Sequence, residues 1–163
     1  MTWGQESRLV DEHTASGPYH NKTALVVDDE PFARIFATQI LQDEGFAILE
    51  AEDAREALHV LAENPDISLL FTDISMPGEL DGIDLAIAAE VRRDLAVILT
   101  SGRRDPSQES ALRRSRFLPK PYTAHALVSM VRELADGPAN NGHACAAGIR
   151  DQDEPLNEQS RSH

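Results

Sequence analysis

Side chains that can do chemistry follow four short apolar segments of this sequence. Asp28 and Asp29 follow TALVV, Asp73 follows ISLLFT, Thr100 closes LAVILT, and Lys120 comes soon after the pair FL. If these segments are parallel strands of an open sheet, their carboxyl ends meet along one crevice, where ligands bind in such folds. Three carboxylates, a hydroxyl and an ammonium group would then share one pocket.

The chemistry of that set favours a phosphoryl group held by a divalent cation. Carboxylates a few ångströms apart repel by about 4 kcal/mol per close pair at an effective dielectric constant of about 20, so a positive charge must offset them. Hard oxygen ligands suit Mg²⁺ (or Mn²⁺), and Lys120 adds a second cation. A carboxylate in such a site can attack phosphorus as a nucleophile. Helix capping accounts for one of Asp28 and Asp29 and for Glu30, but not for Asp73 on another strand.

Strand-like and helix-like segments alternate along the chain. Strands are predicted at 23–27, 47–51, 67–72, 95–100 and 117–118. Helices are predicted from Pro31 up to Gly45, at 54–63 with Asn64 and Pro65 as the stop, at 82–93, at 107–114 and from Thr123 onward. The inward-facing residues are predicted to be Phe32, Ile35, Phe36, Ile40 and Leu41 in the first helix, and Ile83, Ala86, Ile87 and Val91 in the third. Because strand–helix–strand units cross over with a right hand, this order predicts an α/β doubly wound fold, a parallel sheet with helices on both faces.

Length and composition bound the remaining possibilities. The 163 residues allow one domain, placed at 22–137, between polar segments 1–21 and 138–163 that are predicted to be flexible tails. No apolar run is long enough to cross a bilayer, and the first twenty residues lack the pattern of a secretory signal, so a cytoplasmic protein without membrane contact is expected. The net charge of −13 argues against nucleic-acid binding.

That charge is unevenly distributed. Residues 22–91 hold 16 acidic and 3 basic residues, whereas residues 92–137 hold 5 acidic and 9 basic residues. Five arginines lie around the predicted helix at 107–114: Arg103, Arg104, Arg113, Arg114 and Arg116. Surface arginines are usually only solvated, but this cluster suggests a face that binds an acidic partner or a second copy of the chain.

Four sequence fragments, in this order, carry a resemblance to a known family. VVDDE (26–30), TDISMPG (72–78), LTSG (99–102) and FLPKPY (117–122) resemble the receiver domain of bacterial two-component response regulators. The resemblance covers the chain from about residue 22 to residue 136. It implies a flavodoxin-like, five-stranded sheet with strand order 2-1-3-4-5.

The resemblance also implies a role for each matching residue. Asp73 would be the phosphoacceptor, and its donor would be a histidine kinase or a histidine phosphotransfer protein. The magnesium ligands would be Asp28, Asp29, Asp73 and the backbone carbonyl of Ser75. Lys120 and Thr100 would contact the phosphoryl group, Thr100 and Phe117 would form the switch, and the bond before Pro121 would be cis.

The resulting hypothesis is a stand-alone response regulator, a phosphoprotein of two-component phosphorelay signalling that is not an enzyme. It would switch binding of a downstream protein, or of a second copy, through the face formed by residues 100–122 and by the arginines within 103–122. Two alternatives stay open: a magnesium-dependent phosphatase of the haloacid-dehalogenase type, and a receiver-like scaffold that is never phosphorylated. The phosphatases place an Asp-x-Asp pair after the first strand, whereas Asp28 and Asp29 are adjacent.

Overall fold

A five-stranded parallel sheet forms the centre of the molecule. The computed structural model describes residues 17–103 and 115–135. The strands are β1 (Thr23–Val27), β2 (Ala47–Ala51), β3 (Ile67–Asp73), β4 (Ala96–Ser101) and β5 (Ser115–Pro119), in the spatial order β2-β1-β3-β4-β5. The helices of the described ranges are α1 (Pro31–Asp43), α2 (Ala54–Glu63), α3 (Gly82–Ala89) and α4 (Ala124–Ala135). The predicted doubly wound fold and its strand order are confirmed.

Two apolar cores lie on opposite faces of this sheet. Alternate residues of β1 serve different cores: Ala24 and Val26 pack with α1 and α4, whereas Leu25 and Val27 pack with α2 and α3. All four side chains are fully buried. A strand covered on both faces reads as a continuous apolar run, which is why TALVV predicted a strand without any polar alternation.

The predicted inward stripe of α1 is wrong in its first half. Phe32 is 89% exposed, Ile35 60% and Phe36 46%, whereas Ala37, Ile40 and Leu41 are buried. The helix carries apolar side chains on several sides, so their positions in the sequence do not identify its buried face. The face with the small Ala37 packs on the sheet, since a short side chain lets the helix lie close to the strands.

The third helix is shorter than predicted, and its predicted inward side is right for Ile83 and Ala86, which are buried, but wrong for Ile87 and Val91. It ends at Ala89 instead of Arg93, so Val91 lies beyond it and is 85% exposed. Ile87 is 41% exposed, and Leu85, which was not predicted to face inward, is fully buried.

The folded unit begins before residue 22, where the sequence placed the end of a flexible tail. Tyr19 is buried and stacks on Phe46 with ring centroids 4.7 Å apart. Its backbone N–H also donates to the Glu44 carbonyl at 3.3 Å. Residues 1–16 of the first predicted tail and the whole of the second lie outside the described residues, as does the predicted helix at 107–114. Among the residues that the structure describes, no helix has the length and apolar character needed to span a membrane.

Candidate functional site

The sheet brings three acidic side chains together at the carboxyl ends of β1 and β3. Asp73 is the last residue of β3, and Asp28 directly follows β1, which pairs with β3 in parallel. Carboxylate oxygens of Asp28, Asp29 and Asp73 all lie within 4.8 Å of one another. Asp28 is 1% exposed and Asp73 6%, and Asp29 is the most exposed of the three. The cluster therefore opens to solvent on the side of Asp29.

Lys120 places its ammonium group against two of these carboxylates. Its Nζ is 2.9 Å from Asp28 Oδ2 and 3.5 Å from Asp73 Oδ2. Its backbone N–H donates to the carbonyl of Ser101 at 3.0 Å, so β4 holds the segment that carries the lysine. The peptide bond between Lys120 and Pro121 is cis.

Burial and charge shift the pKa values at this site. Burial raises the pKa of Asp73, and the Asp28 carboxylate adds to that shift, while Lys120 and the Ser75 backbone act against it. Burial disfavours the charge of Lys120, but its hydrogen bond to Asp28 and the charges of Asp28 and Asp73 outweigh burial, so the pKa of Lys120 is raised. Burial and the same two carboxylates raise the pKa of Tyr122 to about 12. The three carboxylates carry more negative charge than the ammonium group of Lys120 can neutralise.

Two buried oxygen atoms at the site have no hydrogen-bond partner among the residues that the structure describes. They are Asp73 Oδ1 and Thr100 Oγ1. The two residues are direct neighbours in the β3–β4 ladder, so both side chains stand at the same edge of the sheet. An unsatisfied buried polar atom costs about 1–3 kcal/mol, which a bound group able to contact these oxygens would offset. An oxygen-only donor set with excess negative charge and an unsatisfied carboxylate oxygen fits Mg²⁺.

The loop after β3 is held close to Asp73 by Gly82. A Cβ atom added to Gly82 would lie 1.9 Å from the carbonyl oxygen of Asp73, so no other residue fits without displacing that strand end. The Gly82 N–H donates to the Ile74 carbonyl at 3.1 Å, and Asp81 caps α3 through the N–H groups of Ile83 and Asp84. This contact sets the course of the loop that includes Ser75.

Two residues that border the site were given no role from the sequence. Arg34 Nη1 donates to the backbone carbonyl of Asp28 at 2.6 Å. Tyr122 packs edge-on against Phe71, with ring centroids 5.7 Å apart, and lies close enough to Asp28 and Asp73 for its pKa to respond to them. The only sequence signal for Arg34 was a charged residue within an otherwise apolar first half of α1.

The predicted switch and partner face are only partly within the described ranges. Phe117 is half-buried and packs on the core that includes Leu99, and Thr100 is fully buried. Arg103 and Arg116 are exposed. Arg104, Arg113 and Arg114 lie outside the described residues.

Comparisons with known proteins identify the family of this chain. The family model described as response regulator receiver domain matches residues 24–132. The chain is 32% identical over 118 residues to the response regulator receiver protein CpdR of Brucella abortus, covering 69% of this chain and 96% of CpdR. It is 32% identical over 117 residues to the transcriptional regulatory protein AruR of Pseudomonas aeruginosa, covering 68% of this chain but only 48% of AruR. The crystal structure of the receiver domain from the hybrid histidine kinase CckA matches with a TM-score of 0.58 and 34% identity, covering 69% of this chain and 97% of that domain.

Proposed function

The chain belongs to the response regulator receiver family, and we propose that it accepts a phosphoryl group on Asp73 from a histidine kinase or a histidine phosphotransfer protein. Receiver domains are signalling modules, so the result of the reaction is a changed protein surface and no released substrate is turned over. One matched protein is the sensor kinase CckA of Brucella abortus, which is 31% identical over 121 residues that span 70% of this chain and 12% of CckA.

The convergence of distant charged groups carries this proposal. Asp73 lies with Asp28 and Asp29 inside one cluster of carboxylate oxygens, and Lys120 lies 3.5 Å from Asp73. A structural salt bridge would need one carboxylate for one lysine. Two buried carboxylates and a third beside them instead provide a nucleophile together with ligands for a cation.

The group transfer has a simple balance. A carboxylate oxygen of Asp73 forms a bond to phosphorus, and the bond from phosphorus to the imidazole nitrogen of the donor breaks with its electron pair going to that nitrogen. Lys120 contacts the phosphoryl oxygens as a fixed cation. The Thr100 hydroxyl, which has no hydrogen-bond partner within residues 17–103 and 115–135, donates to one of them. Later hydrolysis of the acyl phosphate by water restores the Asp73 carboxylate.

Asp28, Asp29, Asp73 and the backbone carbonyl of Ser75 would hold Mg²⁺ (or Mn²⁺) at this site. The bound cation supplies positive charge that offsets the carboxylates and the incoming phosphoryl oxygens.

The phosphorylated site would switch partner binding through the face formed by residues 100–122. A phosphoryl group adds about −1.5 to −2 charges and three acceptor oxygens. Thr100 reaches such a group from the end of β4. Leu99, the residue before Thr100, pairs in register with Phe117 of β5. A shift of Thr100 would therefore move Phe117 and the exposed Arg116 beside it.

The proposal is tested with acetyl phosphate and Mg²⁺ as a kinase-independent donor. We expect intact-mass analysis to show one added phosphoryl group in the wild type and none in Asp73→Asn. Asp66→Asn is the matched control, because Asp66 is an exposed carboxylate just before β3, at the opposite edge of the sheet. A wild type that gains no phosphoryl group contradicts the proposal and favours a scaffold. Steady release of phosphate from many added esters favours the phosphatase instead.

A further inference from the structure

Arg34 connects the acidic cluster to the loop after β2. Its Nη1 donates to the backbone carbonyl of Asp28 at 2.6 Å, and its Nη2 lies 3.2 Å from Glu52 Oε1. The Arg34 side chain is only 12% exposed, whereas that of Glu52 is 75% exposed. An ion pair with so exposed a carboxylate contributes little. The shorter contact, with the Asp28 carbonyl, is therefore the one that holds the guanidinium group in place.

That carbonyl belongs to the peptide unit that joins Asp28 to Asp29. Its orientation sets the direction in which the Asp29 side chain leaves the backbone. Beyond the end of β1, this segment is held by the Asp28 N–H bond to Ala51 at 3.3 Å and by the Glu30 N–H bond to Asp28 Oδ1 at 2.9 Å. Arg34 adds the bond on the carbonyl side, and a charged donor makes it a strong one.

We propose that Arg34 is a positioning residue for the divalent cation, since it fixes the Asp28–Asp29 peptide so that both carboxylates face Asp73. This inference rests on the proposed function. The positive charge of Arg34 acts in the opposite direction, because a nearby cation weakens the binding of another cation. Glu52 offsets part of that charge. The sign of the mutational effect therefore separates positioning from simple electrostatics.

Calorimetric titration with Mg²⁺ tests the proposal on the full chain. We expect Arg34→Gln to weaken Mg²⁺ binding about ten-fold or more, as is typical when a group that orients metal ligands is lost. Arg34→Lys keeps the charge and one donor, so its affinity should lie between those of Arg34→Gln and the wild type. Arg132→Gln is the control: it removes one arginine of a surface ion pair, 3.3 Å from Glu44, away from the cluster, and should leave the affinity unchanged.

Thermal unfolding without metal shows whether each variant is folded. A lower Mg²⁺ affinity in a variant that melts cooperatively identifies positioning, and Arg34→Lys provides the test if Arg34→Gln does not fold. Equal or tighter Mg²⁺ binding by a folded Arg34→Gln variant overturns the role of Arg34. If Arg34→Gln does not fold, tighter Mg²⁺ binding by a folded Arg34→Lys variant overturns it. If the wild type is phosphorylated on Asp73 in that case, the proposed function still stands. A wild type that binds no Mg²⁺ overturns both.

Discussion

Asp73 carries an unfavourable charge when no cation is bound. Burial and the Asp28 carboxylate raise its pKa despite the lysine nearby. The folded state therefore holds the Asp73 proton more tightly than the unfolded chain does. As the pH rises through the carboxylate range, the contribution of Asp73 to the stability of the metal-free protein is lost, and the loss is complete above the raised pKa.

Replacing this carboxylate should consequently stabilise the metal-free protein. We expect Asp73→Asn to melt a few degrees above the wild type at neutral pH, and the difference to shrink as the pH falls through the carboxylate range. Lys120 keeps its 2.9 Å contact with Asp28 in the variant, so the ammonium group is still paired. Thermal unfolding at a series of pH values in the presence of a chelator measures this. A lower melting temperature for Asp73→Asn at neutral pH would show that its pairing with Lys120 outweighs burial.

The sequence predicted the acidic members of the site because each follows a recognisable strand. Asp28, Asp73 and Thr100 need only the end of their strand and the parallel order of the sheet to be placed together. Arg34 contacts a backbone carbonyl, and Tyr122 lies near two of the carboxylates. Neither kind of contact leaves a spacing pattern in the sequence. Such residues are found only when the packing of a helix or loop onto the strand ends is known.

At the scale of elements, Gly82 allows the start of α3 to pack closely against the end of β3. A methyl group at this position would lie 1.9 Å from the Asp73 carbonyl oxygen. We expect Gly82→Ala to lower the free energy of unfolding by about 2 kcal/mol or more, because strand or helix must move to relieve the clash. Chemical denaturation measures this change.

Gly102→Ala is the matched control for this substitution. A Cβ atom there would lie 3.8 Å from Lys120 Cβ, an ordinary van der Waals distance, so its stability should stay close to that of the wild type. Gly82→Ala should also weaken Mg²⁺ binding, since the displaced backbone is that of Asp73. Equal stability of the two variants would contradict the close approach of α3 and β3.

Element bounds were predictable wherever local signals agree. The bounds of β1, β2 and α2 match those expected from apolar runs and from the stop at Asn64 and Pro65. The buried faces of α1 and α3 were only partly predictable from large apolar residues. Ile40, Leu41 and Ile83 are buried as predicted, but small alanines occupy much of the rest of the face that meets the sheet. Which face a helix buries depends on how close the helix lies to the strands, and this distance cannot be derived from the sequence of the helix alone.

At the scale of the whole molecule, the negative charge is concentrated in the part of the chain that builds the acidic cluster. Residues 22–91 hold 16 acidic and 3 basic residues. Monovalent salt screens exposed charges, but it relieves the repulsion between buried or clustered carboxylates much less. A divalent cation that binds the folded state alone adds stability by mass action, about 2.7 kcal/mol at a concentration 100 times its dissociation constant.

We therefore expect Mg²⁺ to raise the melting temperature more than sodium chloride does at the same ionic strength. Asp29→Asn should remove most of this excess, because Asp29 is the proposed ligand on the open side of the cluster and its exposure makes the substitution easy to tolerate. Glu63→Gln is the control: it removes one negative charge at the exposed end of α2, and it should keep the full excess. If sodium chloride stabilises the wild type as much as Mg²⁺ does, then screening of the overall charge accounts for the effect. In that case the three carboxylates form no specific cation site, and the phosphoryl chemistry assigned to Asp73 loses the cation on which it depends.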